Sequence, residues 1–137
     1  MANIIVFSDK EIEYLKSQRL ARIATAAYSS LPSSSSSAGS IIIQPDVVPV
    51  GFDFDGKYFY YVSGINILKS TTKYKNVLKN NKVALVIDDL KSVDPWNPRG
   101  IRIYGTADIV SRQDGYMERG TDHPNNNPHK YIRIRKT

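Results

Sequence analysis

The chain has 137 residues, no cysteine and a formal net charge of +6. One domain is therefore expected, disulfide and thiolate chemistry are excluded, and a core can form without staples. The charge is uneven: residues 1–64 hold five Lys/Arg and six Asp/Glu, residues 65–137 fourteen and seven, so the second half is the one expected to meet an anionic partner such as a phosphorylated cofactor.

Met1 to Phe7 is too short and lacks the basic start of a signal peptide, and no run approaches the ~20 apolar residues of a membrane span. A soluble, cytoplasmic protein is expected. Ser8-Asp9-Lys10-Glu11 is a capping box, with Phe7 and Ile12 spaced as a hydrophobic staple. The helix it opens should run to about Gln18, with Ile12 and Leu15 facing the core. Leu20 to Tyr28, rich in Ala, Ile and Thr, reads as the first strand. Residues 29–40 form a flexible Ser-rich loop that cannot bury enough surface to fold alone.

Ile41 to Phe54 resumes the strand pattern. Val48, Val50, Phe52 and Phe54 share one face; Val47, Pro49, Gly51 and Asp53 share the other. Pro49 and Gly51 leave that second face low, so a flat ring can approach the backbone there; the alternative is an edge strand, where proline is tolerated anyway. Asp55-Gly56 signals a hairpin. The return strand, Lys57 to Ser63, is aromatic on both faces, which points to a barrel or a subunit interface.

After a polar turn, Ser70, Thr71 and Thr72 are natural helix caps, and Tyr74, Val77 and Leu78 form an apolar face at helical spacing. The helix start offers unpaired N–H groups flanked by Lys69 and Lys73, a candidate phosphate cradle; the plainer reading is an ordinary N-cap with lysines on a solvated face. Val83 to Ile87 is a buried strand ended by Asp88-Asp89. Neighbours on a strand face opposite ways, so these carboxylates suit a turn better than paired acid–base work.

Ser92 to Gly100 reads as a loop stiffened by Pro95 and Pro98 that presents Trp96 and Arg99. Ile101 to Val110 then alternates, with Ile101, Ile103, Ala107 and Ile109 inward, Arg102, Thr106 and Asp108 outward, and a bend at Gly105. Residues 111–129 form a long polar loop. His123 and His129 lack a third ligand at useful spacing, so no metal site is expected. Tyr131 to Arg135 is a last strand with a basic outer face.

Strands dominate and no βαβ alternation occurs. The expected fold is mainly β: a single antiparallel barrel domain, residues 1–137, with short peripheral helices. GxSxG, GxxxxGK[ST] and GxGxxG are all absent, so an enzyme here must borrow its reactive atoms from an organic cofactor. No catalytic side chain is assigned. A carrier that only sequesters the cofactor is one competing class, which no residue here separates from an enzyme; a nucleic-acid module is another, but its tyrosines would have to lie exposed to stack on bases.

V-V-P-V-G-F-D-F-D-G, an aromatic strand, T-T-K-Y-K-N-V-L-K-N-N-K-V-A-L-V-I-D-D and D-P-W-N-P-R-G-I-R-I-Y-G-T-A follow one another in the order of the pyridoxamine 5'-phosphate oxidase-like split-barrel flavoproteins. Over roughly Leu20 to Val110 the chain resembles this family, and within it the branch using the deazaflavin coenzyme F420. The resemblance implies a homodimer of six-stranded Greek-key split barrels with FMN, or alternatively coenzyme F420, at the interface. It implies phosphate contacts at Lys69, Ser70, Thr71 and Lys73, and a ring along Val48, Pro49, Val50 and Gly51. Ser63 falls near the ring or ribityl chain. Trp96, Arg99 and Gly100 would approach from the neighbouring subunit, and the chemistry would be hydride transfer to or from a small organic substrate. The chain departs from the family in its longer Ser-rich loop, a turn from Ser63 to Thr71 one residue longer, and Thr72 where lysine is frequent. It also stops at Thr137, where relatives continue into a tail.

Overall fold

The computed structural model describes residues 6–29, 42–61, 71–111 and 130–137. In chain order these form α1 (Asp9–Ser17), β1 (Leu20–Ser29), β2 (Ile42–Gly51), β3 (Asp53–Phe54), β4 (Tyr58–Tyr61), α2 (Thr72–Lys79), β5 (Lys82–Ser92), β6 (Asn97–Ser111) and β7 (Lys130–Lys136). Ser63, Lys69, Ser70, the Ser-rich loop from residue 30, residues 112–129 and both histidines lie outside the described residues.

All seven strands belong to one antiparallel sheet, in the order β2-β1-β5-β6-β7-β4-β3. The two outermost strands are consecutive in sequence, separated only by Phe52. Two residue steps span at most ~7 Å, so the sheet must curl until its ends meet there. The Phe52 N–H, 3.3 Å from the Arg19 carbonyl, secures this seam. Counted along the chain, β2 and β3 are one strand bent at Phe52, which reconciles seven ladder members with the six strands expected for a split barrel. Gly56, at φ +99°, makes the hairpin that returns the chain to β4; the Asp55 carboxylate fastens that turn by accepting from the Lys57 and Tyr58 N–H groups at 2.8 and 2.7 Å.

The inner face follows from alternation. Ala21, Ile23, Leu85, Ile87, Ile103, Ala107, Ile132 and Ile134 interdigitate with Phe52, Phe54 and Phe59. Phe7 plugs one end, edge-on to Phe54 at 5.4 Å, while Phe54 stacks on Phe59 at 4.6 Å. Gly105 is dictated by this packing: a Cβ there would lie 2.7 Å from Ile134 Cγ2 and 2.8 Å from the Arg135 carbonyl.

The capping box at Ser8 and Glu11 forms, and Leu15 is fully buried. The α1 helix stops at Ser17, with Gln18 as its C-cap. Four expectations fail. Leu78 is 63 % exposed, so the buried face of α2 is Tyr74, Val77 and Lys73. Asp88-Asp89 do not end a strand: β5 continues to Ser92 because both carboxylates find cations, Asp88 pairing with Arg22 and Asp89 with Arg99. The loop expected over Ser92–Gly100 shrinks to a turn at residues 93–96, and Pro98, Arg99 and Gly100 already belong to β6. Thr106 faces outward by register yet is buried, its hydroxyl bound by the Lys82 ammonium at 3.1 Å.

Candidate functional site

Helix α2 lies across β1 and is tied to it by three side chains. Asn76 Nδ2 donates to Thr25 Oγ1 at 3.0 Å, Asn80 Nδ2 to the Ala26 carbonyl at 2.8 Å, and Lys79 Nζ to the Tyr28 carbonyl at 3.4 Å. Its N-cap is Thr71, whose hydroxyl accepts the Tyr74 N–H at 3.3 Å while its carbonyl accepts the Lys75 N–H at 3.1 Å. The amides of Thr72 and Lys73 fall in the first turn, where no helical partner exists.

Lys73 is the unusual member. The residue as a whole is only 8 % exposed, but its Nζ, unlike Tyr61 Oη and Arg133 Nε, is not a buried atom left without a hydrogen-bond partner. Burial pulls its pKa below the ordinary lysine value of 10.5, and the nearby Asp46 carboxylate opposes that shift. A largely buried lysine stem brings its ammonium to the start of α2, close to Asp46. Lys73, the Thr71 cap and the first-turn amides thus form a donor set chemically suited to a phosphate group.

Asp46 and Val48 are half-buried and Val50 buried on the inner face of β2; Val47, Pro49 and Gly51 are exposed on the outer face. Among the described residues β2 has one neighbour, β1, so every second residue offers its N–H and C=O sideways. The edge-strand and open-backbone readings of Pro49 and Gly51 are therefore compatible. A Cβ on Gly51 would come no nearer than 3.9 Å to the Arg19 carbonyl, so the fold itself does not demand glycine there.

Trp96, Arg99 and Gly100 lie on the other side of the sheet. Register places Gly100 opposite Asp88 and Gly51 opposite Leu20. From β2 to β6 is three strand spacings, about 14 Å. One protomer therefore does not bring the Trp96 group onto the Val48–Gly51 strip. Trp96 is 67 % exposed at the tip of its turn. Gly100 has a packing reason of its own, since a Cβ would sit 3.1 Å from Asp88 Cβ and from the Ile87 carbonyl. Arg99 is held by Asp89, with Nε–Oδ1 at 3.0 Å and Nη2–Oδ2 at 2.5 Å.

Sequence reasoning missed Asp46, Asp89 and Tyr14 as neighbours of these groups. Asp46 shares the parity of Val48 and Val50, and Asp89 that of Val83, Leu85 and Ile87. A carboxylate on the inner parity was the available signal. Among the described residues no cluster of three or more His, Cys, Asp or Glu could hold a metal, and no helix is long and apolar enough to cross a membrane.

The sequence profile described as pyridoxamine 5'-phosphate oxidase matches residues 7–135. The chain belongs to the pyridoxamine 5'-phosphate oxidase family. Among characterised members of similar sequence is the 5a,11a-dehydrotetracycline/5a,11a-dehydrooxytetracycline reductase of Streptomyces rimosus, 34% identical over 105 residues. The match takes in 76% of this chain and 64% of that reductase, so the chain spans less than two thirds of the relative's length. Solved structures share the family fold at lower identity. The FAD-binding protein of Mycobacterium smegmatis matches with a TM-score of 0.60 at 18% identity, over 98% of this chain and 92% of that one. A conserved hypothetical protein of Mycobacterium tuberculosis matches with a TM-score of 0.61 at 18% identity, over 99% and 84%.

Proposed function

We propose that this member of the pyridoxamine 5'-phosphate oxidase family is an oxidoreductase that holds FMN, or alternatively coenzyme F420, between two copies of itself. It passes a hydride between that cofactor and a small organic substrate. The observation that carries the reading is Lys73, a lysine only 8 % exposed that sits in the first turn of α2 beside the Thr71 cap. The family assignment and the reductase name of the Streptomyces relative support it, as do solved neighbours named for FAD binding.

When bound, the cofactor's ring supplies the reversible hydride acceptance that no side chain of this protein can offer. The protein's part is binding and orientation. Lys73, Thr71 and the first-turn amides of α2, with Lys69 and Ser70 before them, receive the ribityl phosphate. The open edge of β2 at Val48, Pro49, Val50 and Gly51 takes the ring, and the family resemblance would assign Ser63 to the ring or ribityl chain. Trp96, Arg99 and Gly100 of a second copy complete the site.

Two features favour the second copy. The Trp96 turn lies about 14 Å from the β2 strip within one chain, and the outer face carries exposed Leu20, Tyr28, Ile43, Val47 and Tyr104. These apolar residues, interrupted by the Arg22–Asp88 ion pair and Arg102, are surface a second copy would cover. The nucleic-acid alternative loses β4 as a stacking platform, because Phe59, Tyr60 and Tyr61 are buried, although Tyr28, Tyr104 and Trp96 are exposed.

The test is an absorbance spectrum of purified protein after incubation with FMN or coenzyme F420 and removal of excess. Retained flavin or deazaflavin absorbance, reduced in Lys73→Ala, is the expected result; a protein that retains neither overturns the proposal. Turnover of reduced cofactor with candidate acceptors then separates an enzyme from a carrier.

A further inference from the structure

Asp89, on β5, stands directly opposite Arg99 on β6. Tyr14, Arg99 and Gln18 all hydrogen-bond its carboxylate. Oδ1 accepts the Tyr14 hydroxyl at 2.9 Å and Arg99 Nε at 3.0 Å, and Oδ2 accepts Arg99 Nη2 at 2.5 Å. The Tyr14 ring lies beneath the guanidinium, 5.2 Å from ring centroid to Cζ, and its hydroxyl also reaches the Arg99 carbonyl at 3.5 Å. Helix α1 and both strands of the β5–β6 hairpin thus converge on one arginine.

Stability alone does not account for this arrangement. An exposed ion pair contributes little, and ordering an arginine side chain has an entropic cost that offsets most of it. What the cluster delivers is orientation. A guanidinium carries five N–H groups in a rigid plane; the side-on fork to Asp89 uses two and leaves three, including both on Nη1, without a partner among the described residues. Arg99 also borders a shallow, open depression of about 270 Å³, lined with Lys10, Glu11, Tyr14, Gly100 and Ile101. The carboxyl of Asp89 is kept below its ordinary range by its bonds to Arg99, and the Tyr14 hydroxyl is pushed up to about 12 by burial and by Asp89. Both groups hold these protonation states throughout the neutral range.

We propose that Tyr14 and Asp89 are positioning residues that fix the Arg99 guanidinium so that its three remaining N–H groups meet oxygen atoms of the cofactor carried by the partner subunit. This rests on the reading that two copies share the cofactor. It goes beyond that reading by making α1 and β5, which touch no cofactor themselves, determinants of how the cofactor is held.

The experiment is a double-mutant cycle on the full chain, reading FMN affinity by flavin fluorescence and thermal stability on each variant. Arg99→Gln and Asp89→Asn are each expected to weaken FMN about tenfold, and Tyr14→Phe about threefold. Arg99→Lys should resemble Arg99→Gln, because an ammonium cannot form the fork. The double variant Asp89→Asn/Arg99→Gln should bind within about twofold of Arg99→Gln alone, since Asp89 acts through Arg99. Losses that multiply in the double variant overturn the proposal. So does weakened binding in Arg99→Gln alone while Asp89→Asn and Tyr14→Phe change only the melting temperature. An Arg99→Gln variant that binds FMN normally overturns it too, but leaves the Lys73 phosphate site standing. Wild-type protein that retains neither FMN nor coenzyme F420 removes the underlying reading and this one with it.

Discussion

Two cations assigned to the cofactor, Lys73 and Arg99, are treated in opposite ways by the fold. Arg99 is answered from within: a carboxylate, a hydroxyl and an aromatic ring engage it, and it stays partly exposed. Lys73 is only 8 % exposed at the start of a helix, where burial lowers its pKa and Asp46 opposes that shift. The first arrangement keeps a charge oriented; the second draws one inward with a carboxylate near it. On the proposed function, the α2 end would receive the anion and the β5–β6 end would be a prepared face.

The largest effect expected on this contrast comes from removing the support of the prepared face. Leu15 is fully buried and anchors α1, the helix that carries Tyr14. Leu15→Ala should cost about 2–5 kcal/mol in chemical denaturation. If α1 contributes to the site through Tyr14, FMN affinity should fall as well; destabilisation with unchanged affinity would separate the helix from the site. Next in size is Lys73→Ala, expected to weaken FMN by about 1–3 kcal/mol, the scale of a lost charge-assisted hydrogen bond. Lys73→Met should do the same while raising the melting temperature of the cofactor-free protein, because a buried charge is exchanged for an apolar chain of similar length. A fall in both quantities would show that the ammonium already has a structural partner.

The two helix caps offer a finer comparison. Ser8→Ala and Thr71→Ala each remove one side-chain bond at a helix start and should each cost about 1 kcal/mol of stability. Only the second should also weaken FMN. The smallest effect is a pH dependence. Because the Lys73 pKa is lowered by burial, folding releases a proton between that lowered value and 10.5. In that window the unfolded chain binds more protons, so stability of the cofactor-free protein gains from Lys73 as pH rises. The gain should appear as the difference between wild type and Lys73→Met, which cancels the tyrosines that titrate nearby.

Much of this was legible in the amino-acid sequence, for physical reasons that can be named. The capping box, the Asp55-Gly56 hairpin and the alternation of Val48, Val50, Phe52 and Phe54 are local signals, and local geometry decided them. The Thr71 cap was legible for the same reason. What was illegible depended on partners distant in the chain. Asp88 and Asp89 look like a turn until Arg22 and Arg99 are set beside them by pairing. Leu78 fits a helical apolar face, yet α2 docks on β1 through Asn76 and Asn80, which rotates Leu78 into solvent and Lys73 inward. The proline-rich stretch was read as a loop because Pro98 cannot donate to a ladder, but β6 begins there, with Pro98 opposite Leu90 at the far end of the hairpin.

The order of strands also dictates a timetable. Strand β4 bonds to β7, some seventy positions later in the chain, and β6 waits for the same partner. On the ribosome β1, β2, β5 and β6 can zip together as they emerge, but β3 and β4 have only each other until residue 136 is free of the exit tunnel. Such distant pairings are slow to form. Until they form, the phenylalanines of the seam face water, so this half-built sheet is the species a chaperone would have to shield.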